Sequence, residues 1–341
     1  MIRDQWYAVF RSKQLGRRPV GLTRLGRPIV LWRDGEGRAR CFLDRCCHRA
    51  AALSRGRVAD GCLECPYHGL RYDAEGAVVK VPALGKRPLP TLRVESIPVR
   101  EAHGLIWMWH GRRHHTLPPL PWDDALAAEL GTGPHVDFED EFDVSYLRIM
   151  ENATDIFHVP FVHRRTMPAG EVLEDFACDV DGVHIRVRGR LTNGEGARGL
   201  AVAVHVVAPS LLLLHVSPSA RFVALATPID DANTWLFARY VQDYVRIRLL
   251  GTVLAWLLGA FDYVALQRYQ DAPIWRSQRL ADPGDLRGYR LLDGDRGVAA
   301  YFQIRGRLLR QAQDDERRDD REDPASDRLH RGPPDAADLA R

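Results

Sequence analysis

The chain has 341 residues, 45% of them hydrophobic and 27% charged, a globular composition with enough length for two cores. A formal net charge of +3, with both signs interspersed through most of the chain, argues against nucleic acid as a partner. The opening Met1-Ile2-Arg3-Asp4-Gln5-Trp6 lacks the charged and apolar regions of a secretory signal, so a cytoplasmic protein is expected.

From Trp6 to about His110, short β-branched and aromatic runs alternate with glycine and charged turns. Pro28-Ile29-Val30-Leu31-Trp32 and Leu105-Ile106-Trp107-Met108-Trp109 are examples, and they predict a small antiparallel sandwich. The prolines of Thr116–Pro121 lack amide donors and cannot continue a ladder, which places a domain boundary there: 1–115, then 116–310. A helical stretch is expected from about Asp143 to Phe157. Alternating segments such as 183–188 and 221–226 then predict antiparallel strands with one wet face.

A second helical region, about Val245 to Leu280, contains the most apolar run, Leu249 to Phe261. Its thirteen uncharged residues fall short of the about 20 that span a bilayer. A buried helix is the first expectation, and a weak membrane-surface contact through 249–261 the second. Residues 311–341, with the charged run Asp314–Asp323 followed by prolines and alanines, have little to bury and are expected to form a disordered tail.

Five of the six cysteines, Cys41, Cys46, Cys47, Cys62 and Cys65, fall within 25 residues, and Cys178 stands apart. In a reducing compartment that clustering suggests metal ligation. Cys46-Cys47-His48 and Cys65-Pro66-Tyr67-His68 each offer one thiolate and one imidazole, with sixteen residues separating His48 from Cys65. Two such loops suit a [2Fe–2S] centre in which one iron takes both cysteines and the other both histidines, raising its potential above that of an all-cysteine cluster. A structural zinc site using Cys62 and Cys65 is the bland alternative. It gives no reason for the residues that follow the second cysteine.

Those residues carry a resemblance to the Rieske family. Cys46, His48, Arg49 and Leu53, then Cys65, Pro66, His68, Gly69, Tyr72, Asp73 and Gly76, match its pattern at eleven positions. Cys47 stands where the family usually has proline, which leaves open whether it competes with Cys46 for the cluster.

The second block runs from Glu151 to His163. On a helix Asp155 and His158 share a face, and Pro160 should end that helix so that His163 can turn back. Two histidines and a distant carboxylate would make the facial triad of a non-haem Fe(II) site with positions open to O2. Glu151, Asn152, Asp155, His158 and His163 resemble the mononuclear-iron motif of Rieske oxygenases at every fixed position. The resemblance implies that His158 and His163 are iron ligands, and that Asp155, with Asn152, belongs to the catalytic machinery as a bridge to the cluster of a neighbouring subunit.

Two aspartates offer the third ligand. Nine residues at about 100° each put Asp262 and Asp271 on opposite faces of an α-helix, so only one can look into the cavity. Asp271 is preferred, because Gln270-Asp271-Ala272-Pro273-Ile274-Trp275 resembles the ligand segment of steroid-acting members such as 3-ketosteroid 9-alpha-hydroxylase oxygenases.

The resemblance implies an α+β chain: an all-β Rieske domain, then a helix-grip catalytic domain of antiparallel sheet and long helices. It implies a homotrimer that draws electrons from NAD(P)H only through a separate reductase or ferredoxin, and the chain has no G-x-G-x-x-G fingerprint of its own. Oxidation of an apolar, polycyclic or natural-product molecule by hydroxylation, demethylation or desaturation is the expected activity. An electron carrier or metal-stabilised binding module is the competing reading, and it leaves the second block without a purpose.

Overall fold

The structure is a computed structural model, and it describes residues 1–85, 87–112, 116–167, 170–194, 199–278 and 286–322. The N-terminal third is built of three small antiparallel sheets. One pairs Gln5–Arg11 and Val99–Ala102 on either side of Leu105–His110; a second orders Ser96–Ile97, Ala39–Leu43, Arg27–Arg33 and Val20–Arg24. The third runs from Arg57–Ala59 through Cys62–Glu64, Arg71–Tyr72 and Ala77–Val81 to Arg87–Arg93.

Strand Leu105–His110 is buried on both faces, and period-two alternation sends its side chains into different cores. Ile106 and Met108 pack with Tyr7, Ile29 and Leu31. Leu105, Trp107 and Trp109 pack instead with Val223, Leu225 and Phe237 of the large sheet that follows. The two parts on either side of Thr116–Pro121 therefore share a core, and the proline stretch is a connection rather than a gap in packing.

The large sheet has seven antiparallel strands in the order His135–Phe142, Thr234–Gln242, Ala220–Pro228, Leu211–Ser217, Leu200–Val207, His184–Thr192 and Val172–Asp181. Its back carries the shared core. Its front packs Val206, Phe222, Ala224 and Leu236 against helices Tyr146–Thr154, Ala272–Ser277 and Arg296–Glu322.

Several expectations change. The helix expected to reach Phe157 ends at Thr154, because Asp155 is extended and its Oδ1 accepts the amide of Phe157 at 2.7 Å, an Asx turn that competes with helix continuation. Asp155 and His158 therefore share a turn and not a helix face. Pro160 does not end a helix but lies in the first turn of a short new one, Val159–Val162, where its missing amide costs nothing.

The apolar run forms helix Arg248–Ala260, but it is not buried. Gly251, Ala255 and Gly259, four apart, form the stripe laid on the sheet edge. A Cβ at Gly259 would come within 2.6 Å of the Phe138 ring, so only a bare backbone approaches this closely. The wide aliphatic side of the helix faces outward, with Leu249 75% and Trp256 52% exposed.

Residues 311–322, expected to be disordered, continue helix Arg296–Glu322. Val298, Tyr301, Phe302, Ile304 and Leu308 anchor its first turns in the core, and Arg3 pairs with Glu316 at 2.6 Å further along. Acidic and basic residues alternating on a solvated helix support one another, which composition alone did not reveal. Residues 323–341 lie outside the described residues.

Candidate metal centres

The first centre sits where two loops meet at the end of the core around Trp32, Phe42 and Tyr72. The Cys46 amide donates to Ala51 O at 2.9 Å, and the Cys65 amide to Leu70 O at 2.8 Å, closing each loop. Gly69, at φ +70°, supplies the left-handed residue the second loop needs to reverse. Cys46 and Cys65 are buried side by side; burial, and then each other's proximity, pushes the Cys65 thiol up. The rings of His48 and His68 lie 4.7 Å apart nearer the surface. Thiols inside and imidazoles outside is the arrangement a mixed-ligand cluster requires, so the residues fit the group.

The structure separates the cysteines that the sequence left ambiguous. Cys46 is buried and Cys47 exposed. Tyr72, part of the motif but given no role from sequence, brings its hydroxyl to 3.0 Å from Cys46 Sγ and 3.3 Å from Cys47 Sγ. Cys41 is buried in another core against Met108 Sδ at 4.0 Å, and Cys62 occupies the strand position opposite in facing to buried Leu63.

At the second centre, His158, His163 and Asp271 converge with one ligand atom each inside 4.8 Å. Asp271 Oδ1 lies 3.4 Å from His163 Nε2 and 3.8 Å from His158 Nε2. Asp271 is buried, and that oxygen has no hydrogen-bond partner. A buried carboxylate oxygen without a partner is costly, and a divalent ion between it and two imidazoles would satisfy it. Burial pushes the Asp271 carboxyl up to about 7, with His158 and Asn152 pulling the other way and Asp262 adding to the rise.

Both imidazoles are oriented through their Nδ1 atoms. His158 Nδ1 lies 2.9 Å from the backbone oxygen of Asp155 and His163 Nδ1 2.9 Å from Gln270 Oε1, so each donates there and turns Nε2 toward Asp271. The Asp155 carboxylate is farther from His158, at 3.7 Å, and partly exposed. Burial opposes the His158 imidazolium, but Asp155 and Asp271 outweigh it and raise its pKa; burial lowers that of His163.

Gln270 and Glu151 belong to the two sequence motifs, and the structure gives each of them partners. Glu151 is a buried anchor: Arg148 and Tyr289 each donate to its Oε2 at 2.9 Å.

Asp262 and Asp271 face the same cavity, contrary to the expectation of opposite faces. Residues Phe261–Asp271 form a π-helix, and at about 4.4 residues per turn nine residues close two full turns. What separates the two aspartates is their partners. Asp262 Oδ2 accepts from the Tyr240 hydroxyl and from Gln267 Nε2 at 2.7 Å, whereas Asp271 Oδ1 stands free. Both border a cavity of about 330 Å³ between helix and sheet, walled by Ile149, Val204, Leu212, Phe222, Leu266 and Trp275.

Residues 5–98 match the Rieske [2Fe-2S] domain family. The chain is 36% identical over 260 residues to the oxygenase component of dicamba O-demethylase from Stenotrophomonas maltophilia, covering 74% of this chain and 69% of that protein. Aminopyrrolnitrin oxygenase PrnD from Pseudomonas fluorescens is 36% identical over 173 residues, 49% of this chain and 47% of its own. Protein TIC 55 of Arabidopsis thaliana is 38% identical over 167 residues, 48% of this chain and 31% of its own. The chain thus spans half or less of several curated relatives it matches. In structure it superposes on dicamba monooxygenase bound to dicamba with a TM-score of 0.72 at 22% identity, covering 93% of this chain and 99% of that one, which supports the Rieske and sheet-plus-helix architecture. A relative matched over more than two thirds of its length at this identity places the chain among the oxygenase components of the Rieske non-haem iron oxygenases.

Proposed function

We propose that this protein is the terminal oxygenase of a multicomponent Rieske system, oxidising an apolar small molecule at a non-haem Fe(II) with O2. The observation that carries the reading is the partnerless Asp271 oxygen, set between two imidazoles at the wall of an apolar cavity. An iron held by His158, His163 and Asp271 would supply dioxygen chemistry at a C–H bond, and a cluster held by Cys46, His48, Cys65 and His68 would supply electrons. The chain's own residues do the rest. Gln270 and the Asp155 carbonyl hold the imidazole tautomers, and the aliphatic walls exclude water from the cavity. A pure electron carrier would need neither the triad nor the cavity.

Electrons come from a separate reductase or ferredoxin, and NAD(P)H acts only through it. Dicamba, aminopyrrolnitrin and the fluorene bound to a carbazole dioxygenase are among the aromatic molecules named with relatives and structural neighbours, and a polycyclic or natural-product substrate fits the cavity's lining. A head-to-tail trimer in the cytoplasm is part of the reading. Its support is that His48, His68 and the Asp155 carboxylate all reach the surface, where a cluster could approach a neighbour's iron.

A bilayer surface containing anionic lipid is the proposed partner of helix Arg248–Ala260. Its outward side is apolar, Arg246 and Arg248 at its start have no ion pair among the described residues, and Leu258 and Phe261 line the cavity while remaining partly exposed.

Iron and acid-labile sulfide analysis of anaerobically purified protein, with electron paramagnetic resonance of the reduced state, tests the oxygenase reading. About three irons and two sulfides per chain are expected. His158→Ala and His163→Ala should each keep the cluster signal and lose the third iron with all turnover. Turnover surviving either substitution would refute the site.

A further inference from the structure

We propose that Gln267 is a polar anchor for the substrate, its Oε1 accepting a hydrogen bond from a hydroxyl or N–H on an otherwise apolar molecule. The inference rests on the oxygenase reading of the cavity and deepens it by naming a group the substrate carries.

Gln267 is 8% exposed, lines the cavity, and follows Asp262 by five residues, one π-turn along the same helix face. Its amide orientation is imposed by its neighbours. Nε2 donates to Asp262 Oδ2 at 2.7 Å and to the Tyr240 oxygen at 3.0 Å, so both amide hydrogens are used. The Tyr240 hydroxyl spends its own proton on the Asp262 carboxylate. Flipping the amide would set its oxygen against two acceptors. Oε1 is therefore left pointing away from this trio, and it has no partner.

Buried carbonyl oxygens are ordinarily paired, and a lone acceptor in an aliphatic wall discriminates between ligands that can satisfy it and ligands that cannot. The polar groups packed around Gln267 at this wall are already committed. Tyr240 and Asp262 bond each other, and Gln242 Nε2 donates to Val245 O at 2.8 Å and Gly251 O at 3.1 Å. Away from the His158, His163 and Asp271 cluster, Gln267 Oε1 is a buried acceptor left uncommitted on a residue that lines the cavity.

Matched probe pairs test this on the iron-loaded protein by calorimetric titration without turnover: carbazole against dibenzofuran, indole against benzofuran, and 2-naphthol against 2-fluoronaphthalene. In at least one pair the donor-bearing member should bind about tenfold or more tightly, one buried hydrogen bond being worth that much. Gln267→Met, which keeps the volume, should abolish the preference while leaving the partner without a donor within about twofold. Equal binding, or none, in every pair of the wild type would overturn the proposal without recourse to a variant. So would a preference that survives in Gln267→Met, or a loss in that variant that is equal for both members, which is the mark of packing alone. Iron content is recorded in parallel: absence of the third iron would sink the oxygenase reading and leave the pair preference to be read independently.

Discussion

His163 donates its Nδ1 proton to Gln270 Oε1 across 2.9 Å, and Gln270 is the residue immediately before Asp271. One π-helical turn thus presents a carboxylate and, beside it, the group that aims an imidazole at that carboxylate. Thr166 closes the arrangement by accepting from Gln270 Nε2 at 3.1 Å, which fixes the amide so that its oxygen faces the ring. Gln270→Leu removes the orienting acceptor and should weaken ferrous iron binding by about 10- to 100-fold, read by anaerobic titration, with the cluster spectrum unchanged. Unaltered iron affinity would show that Gln270 does not position the ligand.

Asp271→Asn and Asp262→Asn should behave differently although both residues border the cavity. The first is expected to lose the third iron and all turnover. The second should keep stoichiometric iron, because the Asp262 carboxylate is occupied by Tyr240 and Gln267. Iron analysis of the two variants decides the matter, and loss of iron in Asp262→Asn alone would reverse the assignment.

Tyr72→Phe removes a hydroxyl 3.0 Å from Cys46 Sγ. A donor to a cluster sulfur stabilises the reduced, more negative state, so its loss should lower the potential. The drop should be about 60 mV, one charge-assisted hydrogen bond of about 1.4 kcal/mol expressed for one electron. Redox titration followed by visible circular dichroism measures it, and an unchanged potential would mean that the hydroxyl serves Cys47 or packing only.

His110 is held well below its ordinary range, at about 4, by burial first and then by Arg27, Arg3 and the N-terminal amine. A histidine whose folded pKa lies below its unfolded value contributes stability that is complete above about 6.5 and lost as pH falls toward 4. The loss should be about 2 kcal/mol after allowing for solvent screening. Denaturant titrations at stepwise pH should show this slope in the wild type and a flatter one in His110→Gln. Parallel curves would exclude His110 as the source.

Sedimentation with phosphatidylglycerol-containing vesicles tests the outward face of helix Arg248–Ala260. Two basic residues near an anionic surface are worth about 1 kcal/mol each, so Arg246→Ala with Arg248→Ala should reduce partitioning by about 30-fold. Leu249→Ser with Trp256→Ser should remove it while the melting temperature holds. A fall in oligomer mass without any vesicle binding in the wild type would assign the face to contacts between copies.

Much of the fold class was legible in the residue pattern. Leu105–Trp109 reads as a buried strand because alternate apolar residues with flanking turns admit few other conformations. The candidate ligands of both blocks could be named for a related reason: side chains must be of given types at given spacings to present ligand atoms at all. Spacing could name candidates, but it could not say which atoms meet.

Tertiary structure decided what depends on neighbours distant in sequence. Whether Asp262 and Asp271 share a face rests on helix winding, and a π-helix pairs each amide with the carbonyl five residues back instead of four, a shift that no local pattern announced. The outward turn of Leu249 and Trp256 follows from Gly259 pressed against Phe138 and Tyr240 of two strands and Gly251 against Pro134 and Gln242. Residues 311–322 are helical because Arg296–Leu308 is anchored in the core ahead of them, an effect of packing that their own composition did not reveal.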